Sequence, residues 1–393
     1  MRFAHIADCH IGGWIEDRLK ELTILAFKKA IDICINEKVD FVLIAGDLFN
    51  TAIPQIELIK QTTEELKRLK DNDIMVYLVP GSHDFSPSGK TILSVFEKAG
   101  LIKNVYNEEG NKLELTTDGK TNAKITGMLG LRNSLELLKY DSLDLTNLEN
   151  EGGFKIFLLH SGVNEFMPSG FGFTALPLDK LPKGFNYYAA GHIHYVFQKK
   201  LSENSVLSYP GPLFPNSFSE LEDLDNGGFL IVDDNLNIRR EEIKLKDVVK
   251  VNINADNKIP SGIEKELMEI NNVTDKIVLI RVSGVLKEGY PSDINFNLDN
   301  LKDAYIVLKN TAGLSAKEYE TLEINESIVN IEAEIVENNI EDIKNVNFDE
   351  GMILSLLSVL DKSKEDGETV NDFEKRIIED IKNELKLKGL FER

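Results

Sequence analysis

Cysteine is scarce in this chain. Only Cys9 and Cys34 occur in 393 residues, too few for a disulfide framework, so a reduced, cytoplasmic setting is expected. With no cysteine cluster, a structural zinc knuckle is excluded as well. Long apolar runs are also missing: none approaches the roughly 18 residues that suggest a membrane span. The first dozen residues carry Asp8 and His10 and lack the basic start and apolar stretch of a secretion signal. Nor is there a basic excess. The net charge is −21, which taken alone argues against a nucleic-acid partner. Its distribution weakens that exclusion. Residues 1–200 hold 23 Lys and Arg against 26 Asp and Glu, whereas residues 201–393 hold 22 against 40. The acidity belongs to the second half, and charge by itself neither supports nor excludes DNA.

What is present has two styles. In residues 1–100 short β-branched runs, Met1–Ala7, Val39–Ala45 and Ile74–Val79, read as buried strands. Between them, Asp17–Glu37 and Ile56–Asp71 have the apolar spacing of amphipathic helices. Strand–helix–strand alternation of this kind predicts an α/β core with a parallel sheet. Residues 101–245 turn strand-rich, with Ala123–Leu129, Phe154–Leu159, Tyr187–Ala190, Val206–Tyr209 and Phe229–Val232. From 246 to 335 the pattern restarts as a small α/β unit: Val249–Ile253, a helix over Gly262–Ile270, then Ile277–Val282 and Ala304–Leu308. Residues 336–348, acidic and rich in Asn, read as a linker before a helical pair in 349–393.

The chemistry sits at strand ends. Five of the six histidines fall beside Asp or Gly or at strand termini: Asp8-Cys9-His10, Gly81-Ser82-His83-Asp84, His160, and Gly191-His192-Ile193-His194, with Gly46-Asp47 after the second strand. Ligands of open α/β sheets bind at the carboxyl ends of strands, so these side chains can converge. Imidazole and carboxylate together suit Mn, Fe or Zn rather than Ca. A Gly before the Asp or His lets the backbone turn sharply while the donor points inward. A lone strand-end His is usually only hydrogen-bonded, and His5, inside an apolar strand, is read that way. Cys9 points to the opposite face of its strand and is read as core.

This ordered set resembles the calcineurin-like metallophosphoesterase superfamily. The longer stretches FAHIADCHIGG, VDFVLIAGDLFN and YYAAGHIH are similar to the nuclease subunit of the double-strand-break repair complex, the meiotic recombination eleven family in its archaeal form. The likeness covers residues 1 to about 245; the region 246–335 matches only in size and style. It implies a four-layer β-sandwich flanked by helices, with a small α/β capping domain for DNA and C-terminal helices. It also implies two Mn²⁺ ions, with Mg²⁺, Fe²⁺ or Zn²⁺ as alternatives, DNA phosphodiester cleavage, a homodimer, and a partner in a coiled-coil ABC-type ATPase. Carried over by position, Asp8, His10 and His194 would hold one metal and His160 and His192 the other, with Asp47 bridging. His83 would stabilise charge or protonate the leaving oxygen, and Asp84 would orient His83.

Two positions depart from the family pattern. Ser82 stands where the family has an Asn, and a hydroxyl is a shorter, weaker ligand than an amide carbonyl. Asn50 stands where a second His is frequent; it can bind a phosphate or base but cannot donate a proton as imidazolium. Three functions therefore remain open. They are a Mn-dependent DNA nuclease processing break ends with the ATPase, a standalone phosphodiesterase on small esters, and a catalytically weakened DNA-end scaffold. Phe166, Phe171, Phe173 and Phe185 lie in a Gly- and Pro-rich loop that could stack bases, although burial against the sheet is the simpler reading. Lys199-Lys200 and Arg239-Arg240 could contact phosphates, with surface solvation the simpler role. In the tail, Ile353, Leu356, Leu357 and Leu360 form one apolar helical face. Val370, Phe373, Ile377, Ile381 and Leu385 form another, with Asn371 and Glu374 at capping-box spacing. Either the two helices fold back as a hairpin on residues 1–335 or, as the resemblance implies, both faces dock on the ATPase.

Overall fold

The computed structural model describes residues 1–86, 91–167, 174–317, 355, 356, 358–360, 362 and 370–384. The linker 336–348, Phe171, Phe173, Ile353, Leu357 and Leu385 lie outside them. By compactness the chain divides into a larger unit (1–255, 261–283 and 294–313) and a smaller one (256–260, 284–293 and from 314 onward).

The larger unit is built on two six-stranded sheets. In chain order its first part runs β1 (Arg2–Ile6), α1 (Asp17–Asn36), β2 (Phe41–Ala45), α2 (Ile56–Asp71), β3 (Met75–Val79), α3 (Ile92–Lys98) and β4 (Lys103–Asn104). A two-stranded ribbon follows, β5 (Glu108–Glu109) with β6 (Lys112–Leu113), then β7 (Thr116–Thr117), β8 (Lys124–Met128), α4 (Glu136–Ser142), α5 (Thr146–Glu149) and β9 (Lys155–His160). After these come β10 (Tyr187–Gly191), β11 (Val196–Ser202), β12 (Ser205–Pro210), α6 (Phe218–Leu224), β13 (Gly227–Asp233) and β14 (Ile238–Ile243). The first sheet has the order β14-β13-β1-β2-β3-β4 and the second β11-β12-β10-β9-β8-β7. The strands β1 to β4 are mutually parallel, as are β8, β9, β10 and β12.

Side-chain alternation makes each central strand two-faced. Phe3, Phe41, Leu43 and Tyr77 from the first sheet meet Ile156, Leu158, Tyr187 and Ala189 from the second in one buried layer. Ala4, Ile6, Val42 and Ile44 face the other way, onto Phe27 and Ile31 of α1 and Leu66 and Leu69 of α2. Phe157 and Leu159 pack outward against Tyr140 and Leu148 of α4 and α5. Helix, sheet, sheet, helix: the four-layer architecture is observed. It explains why the central strands read as continuous apolar runs, since both faces are covered. His5 lies in the inner layer, its Nδ1 2.9 Å from the Tyr187 hydroxyl, a packed and hydrogen-bonded histidine. Cys9 is buried in the helix-side core.

The larger unit continues with β15 (Val248–Asn254), most of α7 (Pro260–Met268), β16 (Ile277–Leu286) as far as Ser283, and β17 (Ile306–Asn310), in a parallel third sheet of order β15-β16-β17. In the smaller unit Gly284–Leu286 pairs with β18 (Leu314–Ala316). Further along, α8 (Val370–Glu384) is a regular helix on which Phe373, Ile377 and Ile381 are half-buried and Ile378 is exposed. Among the described residues no helix is long and apolar enough to cross a membrane.

Candidate metal centre

Parallel register brings the chemistry together. Ile6 stands opposite Ile44, Ala45 opposite Val79, and Gly191 opposite His160. The loops leaving these strands therefore start level with one another, as expected for an α/β site. The backbone there is strained. Asp8, His10, Asp47 and His192 have φ of 50°, 39°, 51° and 85°, a left-handed region that non-glycine residues visit at a cost of order 1–3 kcal/mol each. Gly46 (φ 84°) and Gly191 make room: a Cβ on Gly46 would sit 2.1 Å from His160 Nδ1, and one on Gly191 2.1 Å from the Ala45 carbonyl.

Three groups of donor atoms lie mutually within 4.8 Å: Asp8, His10 and His194; His10, Asp47 and His83; and Asp8, Asp47 and His160. Asp47 is the link between the two sides, its Oδ2 3.1 Å from His160 Nε2 and 3.6 Å from His10 Nε2. His194 Nε2 lies 3.7 Å from Asp8 Oδ1 and 3.1 Å from His10 Nε2. His192 packs edge-on against His160 with ring centroids 5.0 Å apart, and its backbone N–H donates to Asp8. Ser82 is buried in the turn beside His83.

The donors fit a divalent cation. His160 donates Nδ1–H to the Ala45 carbonyl at 2.8 Å, which leaves its buried Nε2 without a hydrogen-bond partner although an Asp47 oxygen is near. His10 Nδ1 is likewise buried and unpartnered. Burial drives His10 and His192 down to about 3, so both are neutral electron-pair donors at physiological pH. Burial opposes charging at His160 too, but Asp47 prevails and lifts it to about 10. Asp8 is pushed up by burial against the pull of His194 and His160. Asp47 is held below the usual carboxylate range by the nearby His160, in spite of its burial. The buried carboxylates of Asp8 and Asp47, the buried imidazoles of His10 and His160 and the half-buried ones of His192 and His194 form a donor cluster suited to a cation, which offsets the cost of burying the two anions.

The Asp84 carboxylate is placed on backbone amides rather than on the His83 ring. It accepts from the backbone N–H groups of Leu48, Phe49 and Gly81, each at 3.1 Å, and so ties the Asp47 loop to the His83 loop. His83 Nδ1 instead meets the Asn50 backbone carbonyl at 2.9 Å, and the His83 N–H donates to Asp47 Oδ1 at 2.8 Å. Sequence neighbours in a tight turn diverge, and the unpaired turn amides claim the nearest buried anion. Burial and the neighbouring Asp47 charge push Asp84 up to about 7, against those three amides.

One site residue went unnoticed in the sequence. Glu220 Oε1 accepts from His194 Nδ1–H at 3.0 Å. The available signal was Ser217-x-x-Glu220, a capping-box pattern, but nothing local ties it to His194. Among the aromatics, Phe185 is buried against Phe157 and Tyr188, and Phe166 packs on Phe197. Arg239 is paired with Glu37 and Glu241, and Arg240 is half-buried; Lys199 and Lys200 are exposed on β11.

Residues 1–196 match the calcineurin-like phosphoesterase family. The DNA double-strand break repair protein Mre11 of Methanococcus maripaludis is 30% identical over 95% of this chain and 99% of its own length. Mre11 of Sulfolobus acidocaldarius is 30% identical over 73% of this chain and 76% of its own, and Mre11 of Methanocaldococcus jannaschii 27% over 79% and 82%. The chain belongs to the calcineurin-like phosphoesterases and, within them, to the archaeal Mre11 family.

Proposed function

We propose that this chain is a Mn²⁺-dependent nuclease that processes DNA double-strand-break ends together with a coiled-coil ABC-type ATPase. The observation that carries this reading is the convergence of Asp8, His10, Asp47, His160 and His194 in overlapping groups of donor atoms, buried except for the half-buried His194. The similarity to proteins named for double-strand break repair supports the choice of DNA as substrate.

Asp8, His10 and His194 would hold one ion, and His160, His192 and Ser82 the other, with Asp47 shared. Two ions bound there supply Lewis acidity toward the phosphate and toward water. The chain's own residues do the rest. His83, pinned at Nδ1 by the Asn50 carbonyl, keeps Nε2 for the phosphate or the leaving oxygen, and so acts as charge stabiliser or acid. Asn50 side-chain contact with substrate belongs to the same reading. Asp84 holds both catalytic loops in register. Residues 1–245 form the nuclease domain and 246–335 a cap over DNA. Residues 336–348 are a linker, and the helical pair in 349–393 docks on the ATPase. A cytoplasmic homodimer completes the assembly, with α1 and α2 as the surfaces of choice for pairing.

A second reading has a specific observation behind it. Ser82 supplies a hydroxyl where the family has an amide, which favours a weakened enzyme that mainly binds DNA ends. Assays with Mn²⁺ against Mg²⁺, on duplex DNA, single-stranded DNA and a small chromogenic phosphodiester, separate the readings. The nuclease predicts Mn²⁺-dependent cleavage of DNA, the standalone enzyme turnover of the small ester alone, and the scaffold DNA binding without either. Deleting residues 340–393 is expected to leave Mn²⁺-dependent cleavage of single-stranded DNA intact and to abolish co-purification with the ATPase. Full-affinity binding by the truncated chain would contradict the docking assignment.

A further inference from the structure

We propose that Glu220 is a positioning residue of the metal centre: its carboxylate holds His194 as the Nδ1–H tautomer, so that Nε2 offers its lone pair to a divalent cation beside Asp8 and His10. The inference rests on the metal-binding reading above and adds a residue to it.

The geometry is specific. A neutral imidazole carries one N–H, and whichever nitrogen donates leaves the other as a ligand. His194 Nδ1 lies 3.0 Å from Glu220 Oε1, while Nε2 faces His10 Nε2 at 3.1 Å and Asp8 Oδ1 at 3.7 Å. His160 and His83 turn their Nδ1 atoms to the neutral backbone carbonyls of Ala45 and Asn50. His194 is given an anion instead, and an anionic partner raises the basicity of the nitrogen opposite.

Glu220 arrives already fixed. Its Oε2 accepts the Asn216 N–H at 2.8 Å, its Oε1 accepts the Ser217 hydroxyl at 3.2 Å, and its own N–H donates to Ser217 Oγ at 3.2 Å. The helix that carries it is gripped from another side: Arg281 of β16 makes a forked pair with Glu222, at 3.0 and 2.6 Å, and lies over the Phe218 ring at 5.2 Å. A capping role at the start of α6 accounts for the Ser217 contacts but not for the His194 contact. The two roles differ in chemistry. Gln at this position still accepts the Asn216 amide, whereas it removes the charge facing the imidazole.

Calorimetric titration of the full chain with Mn²⁺ tests this. The wild type is expected to show two binding events. In Glu220→Gln one event weakens by about 10–100-fold and the other stays as in the wild type, with the melting midpoint in chelator unchanged. In Ser217→Ala, which removes the helix cap and one contact to Glu220 but leaves its charge facing His194, the midpoint in chelator falls and the same event weakens far less than in Glu220→Gln. Glu220→Gln binding both ions like the wild type overturns the proposal, as does Ser217→Ala weakening the same event equally. The wild type gives a mutation-free check: in Zn²⁺-loaded protein, long-range ¹H–¹⁵N spectra should find His194 protonated at Nδ1, and protonation at Nε2 overturns the assignment. A wild type that takes up no Mn²⁺ sinks the metal-centre reading itself, a different outcome from either.

Discussion

The two ends of the same sandwich differ in kind. At the amino ends of β10 and β12 lies a cleft of about 570 Å³, lined by Leu181, Phe185, Tyr188 and Leu201 among others. At the carboxyl ends lies a tighter cluster of buried carboxylates and imidazoles. The cleft has ordinary backbone, Gly184 being its one lining residue with positive φ, and the Tyr188 hydroxyl there donates to the Pro182 carbonyl at 2.5 Å. The carboxyl end has four non-glycine residues in the left-handed region and two buried imidazole nitrogens without hydrogen bonds. Volume alone is a poor guide to chemistry. Left-handed backbone and unpartnered imidazole nitrogens gathered in one small cluster of ionisable groups, rather than volume, distinguish the carboxyl end.

Mutations should separate the two ends. Asp47→Asn should abolish cleavage and lower bound Mn²⁺, because it removes the anionic donor common to both sides; metal analysis showing wild-type Mn content would mean the bridging assignment is wrong. His83→Ala should keep both ions and lose turnover by about 10²–10⁴-fold, read by steady-state kinetics beside metal content; loss of metal would make His83 a ligand. Ser82→Asn should act in the opposite direction, tightening the second ion and raising activity at low Mn²⁺, and no change in the Mn²⁺ dependence would remove Ser82 from the site. At the other end, Phe185→Ala should cost about 3 kcal/mol of stability in denaturant unfolding. It should leave kcat/KM of the folded protein unaltered, and a matching loss of activity would tie the cleft to the chemistry.

How much of this was readable from the sequence follows from burial. The strands β1, β2, β3, β9 and β10 are covered on both faces, so they read as short, largely apolar runs in the sequence. The edge strands left none. Val196–Ser202 carries Lys199 and Lys200 on a largely exposed ladder, and Ile238–Ile243 carries Arg239, Arg240, Glu241 and Glu242; solvent on one side leaves their composition free. The candidate metal-site residues could be picked out because Asp and His gather directly after apolar strand runs. Asp84 and Glu220 were not. The partner of each depends on how loops far apart in the chain pack, and adjacency to His83 pointed the wrong way for Asp84.

An anomalous difference map at the manganese edge, from crystals of the full chain grown with Mn²⁺, locates any bound ions. Two peaks are predicted, one among Asp8, His10, Asp47 and His194 and the other among Asp47, His160 and His192. Manganese bound elsewhere, or no peak among these residues, would contradict the account.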